Sequence, residues 1–241
     1  MTPVLEIKNL SKTYKGGKKA IEDLSLTIEG GDIFGFIGHN GAGKTTTLKA
    51  TAGILDFEAG EILIDGVSLK ADPIACKKVS AFLPDNPDLY DFLTGVQFLN
   101  FTGDVYGVSK EEKAERIERY AGIFEMRENL GNLISSYSHG MKQKLALISA
   151  LIHQPKLLIL DEPFVGLDPK ASADLREIMR GVCREGGAIF FSTHVLEVAQ
   201  KLCNKIAIIK RGKLVACGET ERLTQNSDLE EVFMEVTGNE R

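Results

Sequence analysis

A glycine-rich segment followed by a lysine and two threonines constrains this chain more than any other feature. It lies between the apolar run 33–37 and a helix-forming run that begins at Lys44. The glycines let the backbone turn tightly and direct successive N–H groups at one point, where the positive end of the helix dipole also attracts an anion. The segment therefore predicts a P-loop, in which Lys44 reaches the β- and γ-phosphates of a nucleotide and Thr45 offers its hydroxyl to Mg²⁺. The predicted nucleotide-binding residues are Gly38, His39, Asn40, Gly41, Ala42, Gly43, Lys44, Thr45 and Thr46.

The length and composition of the chain suit one large domain. Its 241 residues are 43% hydrophobic, which is enough for a substantial core. The formal net charge of −5 gives no overall basic surface that would favour a nucleic-acid partner. No apolar stretch approaches the roughly 18 residues that cross a bilayer, and the start, MTPVLEIKNL, lacks the pattern of a signal peptide. We therefore expect a soluble protein that is not secreted and binds no nucleic acid.

The four cysteines are scattered along the chain, at Cys76, Cys183, Cys203 and Cys217. They form no CxxC pair and have no histidine cluster beside them, so the pattern argues against both a zinc site and a disulfide framework. We expect them to be reduced cysteines of a cytosolic protein.

The N-terminal third of the sequence has the texture of a β layer, and the middle has the texture of helices. Residues 4–10 and 20–28 alternate apolar and polar side chains, as half-buried antiparallel strands do, and residues 61–67 repeat the strand-and-turn signal. Residues 94–132 are helical in pattern, and the run 110–119 carries opposite charges at helical spacing. This pattern predicts a helical subdomain inserted into the β-rich part.

The C-terminal half predicts a mainly parallel sheet, because short apolar runs at 156–160, 188–192 and 206–209 alternate with helical stretches at 169–185 and 194–203. The predicted fold class is α/β, with a P-loop NTPase core, an N-terminal antiparallel β layer and an inserted helical subdomain. The predicted parts of the single domain 1–241 are a core (1–93 and 144–220), the helical subdomain (about 94–143) and a short helical tail (221–241).

A second functional pattern is an apolar strand that ends in two carboxylates, Asp161 and Glu162. Residues 157–163 read Leu-Leu-Ile-Leu-Asp-Glu-Pro. Open α/β sheets present functional groups at the carboxyl ends of their strands. Asp161 can hold Mg²⁺ through its water shell, and Glu162 is placed to orient or deprotonate an attacking water. Without a P-loop upstream, the same pattern would describe an ordinary solvated strand end.

A third segment, residues 137–143, reads Tyr-Ser-His-Gly-Met-Lys-Gln and lies between the other two. Ser138 is a good N-cap for the following helix, and Gly140 permits close backbone approach, so the helix end can present N–H donors to a phosphate. In this order the three segments resemble the Walker motifs and the LSGGQ signature of ATP-binding cassette (ABC) transporters, over essentially the whole chain. The resemblance implies that Ser138 and Gly140 face the γ-phosphate of ATP held by a second cassette.

The resemblance assigns four further residues. Tyr14 matches the aromatic residue that stacks on adenine, and His194 matches the histidine that contacts the γ-phosphate. Asp168 matches the loop that crosses the dimer interface. Asp85 stands where the family usually has a glutamine that touches Mg²⁺ and senses the permease, and as a carboxylate it can still serve a metal. The resulting catalytic residues are Glu162, His194 and Lys44, and the metal-binding residues are Thr45, Asp85 and Asp161.

The signature departs from the family pattern at two positions. His139 replaces a glycine and Met141 replaces a glutamine. Similar SHGMKQ and proline-acid variants occur in a subset of export-type cassettes, and the tail segment 228–238 also resembles the end of those compact cassettes. The resemblance therefore implies a compact cassette of the export type.

The function implied by the resemblance is that of an ATPase subunit. It would bind ATP and Mg²⁺, dimerise with a like or different cassette, and drive export through an integral membrane permease at the cytoplasmic face of the cell membrane. Two alternatives stay open. Asp85 and the altered signature are compatible with a low-turnover, nucleotide-gated binding module, although Glu162 and His194 argue against it. A soluble cassette acting on ribosomes or DNA is the other, although such relatives usually have two fused cassettes or a long coiled-coil insertion.

Overall fold

Strands and helices follow one another through residues 2–225 and 227–238, which this computed structural model describes. The strands are β1 Leu5–Thr13, β2 Lys19–Ile28, β3 Ile33–Ile37, β4 Ala59–Ile64, β5 Val67–Ser68, β6 Ser80–Leu83, β7 Leu157–Asp161, β8 Ala188–Thr193, β9 Lys205–Lys210 and β10 Lys213–Glu219. The α-helices are α1 Lys44–Thr51, α2 Pro73–Lys78, α3 Gly95–Val105, α4 Lys110–Ile123, α5 His139–Leu151, α6 Pro169–Arg184, α7 Leu196–Leu202, α8 Thr220–Leu223 and α9 Leu229–Thr237.

The N-terminal sheet has four strands in the order β2-β1-β4-β5. β1 pairs with β2 and β4, and β4 pairs with β5, all antiparallel. The alternation of apolar and polar residues produces this layer, since β2 buries every second side chain along most of its length. The predicted antiparallel β layer is confirmed.

The second sheet has six strands in the order β10-β9-β3-β8-β7-β6. The five strands β9, β3, β8, β7 and β6 are parallel to one another, and β10 is antiparallel to β9. All residues of β3, β7 and β8 are buried, as their continuous apolar runs predict for a sheet covered on both faces. Because β8 lies between β3 and β7, the carboxyl ends of these strands meet at one edge. The mainly parallel sheet is confirmed; β10, whose residues are exposed or half-buried, was not predicted.

Helices of the middle segment begin at strong caps. Thr94 and Ser109 form capping boxes with Gln97 and Glu112 at the starts of α3 and α4, and Ser138 caps α5. α5 continues past position 143 into the core, so the helical part and the core share a helix. No helix in the described ranges 2–225 and 227–238 combines the length and apolar character that crossing a membrane requires.

The apolar core lies on both faces of the six-stranded sheet. Successive residues of β8 point to opposite sides, so Phe190 packs toward the antiparallel layer and Phe191 packs toward the helices. None of the four cysteines is in a disulfide. Burial raises the pKa of the Cys183 thiol to about 11, so this thiol is protonated and unreactive at neutral pH.

Candidate functional site

The phosphate loop connects β3 to α1, and two of its glycines are required by close backbone contacts. Gly43 has a φ of +116°, and a Cβ atom there would lie 2.4 Å from the carbonyl oxygen of Ala20. A Cβ atom on Gly38 would lie 2.6 Å from the carbonyl oxygen of Ile209. Since Gly43 has no side chain to cap α1, the first N–H groups of this helix remain available to an anion.

Lys44 is bent back over the loop. Its side chain is only 6% exposed, and Nζ donates to the carbonyl oxygen of Gly38 at 2.6 Å and lies 3.4 Å from that of His39. Nζ also lies 3.8 Å from Oε1 of Glu162. Burial lowers the pKa of Lys44, and the carboxylates of Glu162 and Asp161 partly offset that effect. A phosphate in the loop would give this desolvated ammonium group a stronger partner than two carbonyl oxygens.

Asp161 ends β7 beside Ser192 of β8, because the parallel register pairs the two residues. Ser192 Oγ donates to Asp161 Oδ1 and accepts the backbone N–H of Glu162 at 3.1 Å. Asp161 Oδ2 is buried and has no hydrogen-bond partner within the part of the chain described here. An ordered water or a cation would satisfy this oxygen, and a hard cation such as Mg²⁺ fits a carboxylate.

Glu162 has an unusual backbone, and the side chains of Lys44 and His194 lie beside its carboxylate. Its φ of +47° lies in the left-handed region, which a residue with a side chain seldom adopts and which often marks a functional position. Its Oε1 lies 2.9 Å from Nδ1 of His194, in addition to its contact with Lys44. The Glu162 side chain is 16% exposed, so its carboxylate is fixed in place yet still reachable by water.

A cleft of about 230 Å³ brings these groups together. Tyr14 stands at one side, 42% exposed, with its hydroxyl 3.2 Å from Oγ1 of Thr46. Asp85 stands at the other, on the loop after β6. The lining residues are Tyr14, Lys18, Ala20, His39, Asn40, Gly41, Gly43, Lys44, Thr45, Thr46, Asp85, Asp161 and Glu162. Of the remaining predicted residues, Gly38 and Ala42 are buried behind the loop and His194 reaches the cleft through Glu162.

Ser138, Gly140 and Asp168 do not line this cleft. Ser138 caps α5 by accepting the N–H of Met141 at 3.3 Å. Asp168 caps α6 and forms an ion pair with Lys144 of α5 at 2.7 Å. A Cβ atom on Gly140 would lie 2.9 Å from the carbonyl oxygen of Gly166, so the starts of the two helices are in contact. We call this region, residues 138–144 and 166–168, the signature face.

Three residues of these two regions were not predicted from the sequence. Ser192 bonds the carboxylate of Asp161 and the backbone N–H of Glu162, Lys18 lines the cleft, and Lys144 pairs with Asp168. No direct signal marks Ser192 in the sequence, because its position beside Asp161 depends on the register of β7 and β8. Lys18 and Lys144 gave no signal, since surface lysines are common and only the fold shows what they face.

A larger cavity of about 490 Å³ lies between α4 and α6. It contains none of the predicted site residues and no glycine loop at a helix start. We therefore assign the functional site to the smaller cleft, where strand ends, the phosphate loop and the buried ammonium group of Lys44 converge.

Comparison with known proteins fixes the family. The sequence profile of the family described as ABC transporter matches residues 21–165. The chain is 40% identical over 217 residues to the uncharacterized ABC transporter ATP-binding protein YhcH of Bacillus subtilis (strain 168), covering 89% of this chain and 70% of that protein. It belongs to the ABC transporter family. The ABC transporter ATP-binding protein NatA of the same organism is 35% identical over 238 residues, which are 96% of this chain and 97% of the relative.

Solved structures agree with the ABC assignment. The structure of an ATP-binding subunit of an ABC transporter matches with a TM-score of 0.93 and 33% identity, covering 98% of this chain and 100% of the other. A dimeric, post-hydrolysis structure of the ATP-binding cassette MJ0796 with ADP and Pi matches with a TM-score of 0.82, over 90% of this chain and 98% of the other, and at 22% identity it supports the fold alone. The protein is an ABC ATPase subunit, and the predicted family, P-loop fold and enzyme class are confirmed.

Proposed function

We propose that this ABC ATPase subunit pairs with a second cassette around two Mg-ATP molecules and drives export through a separate membrane permease. It would work at the cytoplasmic face of the cell membrane. The observation that carries the proposal is the separation of the cleft from the signature face. The cleft is lined by Tyr14, most of the phosphate loop and the carboxylates of Asp85, Asp161 and Glu162, whereas Ser138 and Gly140 lie outside its lining. A second chain could therefore use these two residues.

Nucleotide binding falls to the phosphate loop and Tyr14. The open N–H groups at the start of α1 and the ammonium group of Lys44 would hold the phosphates. The half-exposed ring of Tyr14, beside Thr46 at the mouth of the cleft, offers a face on which adenine can stack. ATP would thus displace the contacts of Lys44 with its own loop.

Mg²⁺ would be held by the oxygen atoms of Thr45, Asp85 and Asp161. The buried Oδ2 of Asp161 supports this assignment, because a bound cation or its water shell would satisfy it. Asp85 is exposed and its Oδ1 already accepts the N–H of Asn86 at 2.9 Å, so a second oxygen is left for the metal. The described residues contain no group of three or more His, Cys, Asp or Glu side chains that could hold a metal by themselves, so the nucleotide phosphates would complete the site. When bound, Mg²⁺ neutralises charge on the β- and γ-phosphate oxygens.

Glu162 would orient and deprotonate the attacking water. The contact with His194 holds the Glu162 carboxylate. The backbone at this position is fixed by the N–H of Glu162, which donates to Ser192 Oγ, and Ser192 in turn donates to Asp161. The ammonium group of Lys44 can leave Glu162 for the γ-phosphate, which frees Oε1 to accept a proton. His194, whose side chain is 54% exposed, contacts the same carboxylate, so it lies beside the group that would take up the proton.

Dimerisation would bring a partner's signature face over the cleft. Ser138 and the N–H groups at the start of α5 would then add donors to the γ-phosphate from the opposite side. ATP would stabilise the closed dimer, because it contacts both chains only in that state. The dimeric form of the cassette MJ0796 supports this arrangement by fold alone.

An exposed aromatic patch on the helical part supports a permease partner. Phe92 is 76% exposed, and Tyr90 and Phe101 are each 48% exposed. The ring of Tyr90 lies 5.8 Å from that of Phe92 and 5.9 Å from that of Phe101, so the patch is continuous. Exposed apolar patches of this kind mark interaction surfaces. Asp91, within the patch, pairs with Lys142 of α5 at 2.7 Å and so links the patch to the signature face.

Affinity capture tests the proposal. Tagged Glu162→Gln protein is incubated with Mg-ATP and detergent-solubilised membranes, and the chains that copurify are identified. We expect a multi-spanning permease and a second cassette. Adding Phe92→Asp as a matched control should release the permease while keeping the cassette pair. Recovery of ribosomal or DNA-repair proteins without a membrane protein would contradict the proposal.

The direction of transport needs a separate measurement. The captured complex can be placed in vesicles with its ATPase subunit outside, and candidate substrates can be followed after ATP addition. Accumulation inside the vesicles would support export, whereas ATP-dependent loss from preloaded vesicles would contradict it.

A further inference from the structure

The last helix of the described chain, α9, reaches the phosphate loop from behind the cleft. It contributes none of the residues that line the cleft. Phe233 of α9 is 6% exposed, and its ring meets the ring of His39 with centroids 4.8 Å apart and planes inclined by 67°. Edge-to-face packing of this kind is a favourable aromatic geometry. One ring contact therefore connects the C-terminal helix to the second residue of the loop.

His39 also serves the loop through its backbone. Its carbonyl oxygen accepts the N–H of Ala42 at 3.1 Å and lies 3.4 Å from Nζ of Lys44. A contact that fixes the side chain of His39 therefore also restricts the carbonyl group that Lys44 contacts. The loop is held in addition from the β9–β10 turn, where the N–H of Gly212 donates to the carbonyl oxygen of Ala42 at 2.8 Å.

The position of Phe233 is set by the core rather than by the loop. At the start of α9, the N–H of Leu229 donates to Oε1 of Gln200 of α7 at 3.1 Å, and the Leu229 side chain is fully buried. At its end, Nζ of Lys210 donates to the carbonyl oxygen of Thr237. Since α9 is anchored at both ends, it can act as a fixed support for the ring of His39, an exposed loop residue.

We propose that Phe233 is a positioning residue for the phosphate loop and acts through the ring of His39. Docking of α9 holds the loop in the shape that receives nucleotide phosphates, so loss of the ring weakens nucleotide binding. Phe233 touches no reacting group, and the rate of hydrolysis at saturating ATP is therefore unaffected. This inference rests on the proposed nucleotide site and adds a residue that acts on it from outside.

A double-mutant cycle on ATP affinity tests the contact. Phe233→Leu keeps an apolar side chain in the core but removes the ring, and His39→Ala removes the other ring. Phe233→Leu is expected to weaken ATP binding and raise KM roughly two- to tenfold, with kcat retained, because aromatic pairs have coupling energies of that size. His39→Ala is expected to weaken ATP binding at least as much, because His39 itself lines the cleft. The double variant should bind ATP no more weakly than the single variant that has the lower ATP affinity. Unchanged affinity in Phe233→Leu, or fully additive effects, would overturn the proposal.

A nucleotide-free measurement separates this inference from the proposed function. Amide hydrogen exchange in residues 38–43 should be faster in Phe233→Leu than in the parent protein. Met234→Ala is the matched control, because Met234 lies next to Phe233 on α9 but is 45% exposed, and it should leave exchange and ATP affinity unchanged. If the parent protein bound no ATP, the proposed function would be wrong, but amide hydrogen exchange would still test the role of the His39–Phe233 contact. Equal exchange in the loop of the parent and Phe233→Leu proteins would contradict that role.

Discussion

The nucleotide cleft and the signature face are built in opposite ways. The cleft contains a desolvated ammonium group on Lys44 and a left-handed backbone at Glu162. It also contains a buried oxygen of Asp161 that has no hydrogen-bond partner among residues 2–225 and 227–238. On the signature face, the side chains of Ser138 and Asp168 cap their own helices, and Lys144 neutralises Asp168. Polar and charged groups of the cleft are desolvated or incompletely paired, whereas those of the signature face are paired within their own chain.

This difference suggests that the cleft is suited to a small ligand and the signature face to a protein partner. Unsatisfied charge in a cleft is costly until an anion and a cation arrive, so nucleotide binding there should stabilise the fold. The polar groups of the signature face are already paired, so this face gains stabilisation only when a partner adds new hydrogen-bond acceptors. Each prediction below changes one of the two regions and asks whether the effect stays there.

The largest effect is expected at the unsatisfied cleft. Glu162→Gln removes the proton acceptor and replaces it with a side chain of nearly the same size and shape. Turnover should therefore fall by roughly 10²–10⁴-fold, as for other general bases. ATP affinity should be retained, and gel filtration with Mg-ATP should show more dimer. Glu197→Gln, on the exposed surface of α7, is the control and should hydrolyse ATP normally. Normal turnover in Glu162→Gln would remove Glu162 from the catalytic role.

The signature face should matter only in the dimer. Ser138→Ala removes one donor to a charged phosphate, worth about 1.5–3 kcal/mol, so turnover should drop roughly 10- to 100-fold. Binding of ATP to the separate chain should not change. Lys44→Ala should instead abolish binding in the chain that carries it.

Mixing the Lys44→Ala and Ser138→Ala variants tests whether the two residues act in one site on opposite chains. In a mixed dimer, one site combines an intact Lys44 with the intact Ser138 of the other chain, so phosphate release should partly recover. The control mixes Lys44→Ala with Glu162→Gln, which should show no recovery if the two residues serve the same cleft. Absence of recovery in the first mixture would show that Ser138 does not complete a site on a second homologous chain.

Most of the fold follows from the sequence, because the decisive patterns are local. The all-apolar runs of β7 and β8 lead to buried parallel strands, and the alternation in β2 leads to a sheet with one buried face. β10 lacks either pattern, since its pairing depends on β9 rather than on its own side chains. Its existence therefore required the tertiary structure.

The candidate site divides in the same manner. The phosphate loop and the Asp161–Glu162 pair combine residue types at fixed spacing, so the sequence predicts them and the structure places them in one cleft. Ser192 and the His39–Phe233 contact depend on strand register and helix docking. Such pairings join residues that are far apart in the chain, and a single sequence contains no direct record of them.

A smaller effect is expected when the buried charge of Lys44 is titrated. Burial lowers the pKa of Lys44 below its ordinary value near 10.5, so the unfolded chain holds this proton more tightly than the nucleotide-free protein does. Stability from this residue should therefore rise as pH increases from the lowered pKa toward about 10.5. Denaturant unfolding should show wild type gaining stability relative to Lys44→Met as pH rises toward about 10. Lys49→Met, on the same helix, is the control, and a flat difference for Lys44→Met would contradict the cost assigned to this charge.

The smallest effect is expected at Asp168, on the satisfied face. The N–H of Ala171 and the ammonium group of Lys144 lower the pKa of Asp168, so its contribution to stability is present above about pH 4 and is lost as pH falls through the lowered pKa. Asp168→Asn keeps an oxygen that can cap α6 but removes the charge, so it should cost no more than about 1 kcal/mol near pH 7 and nothing once Asp168 is protonated. Urea unfolding at several pH values measures the difference. Asp72→Asn is the matched control, because Asp72 caps α2 but forms no ion pair within residues 2–225 and 227–238. A cost for Asp168→Asn that persists unchanged at low pH would show that shape rather than charge holds the signature face together.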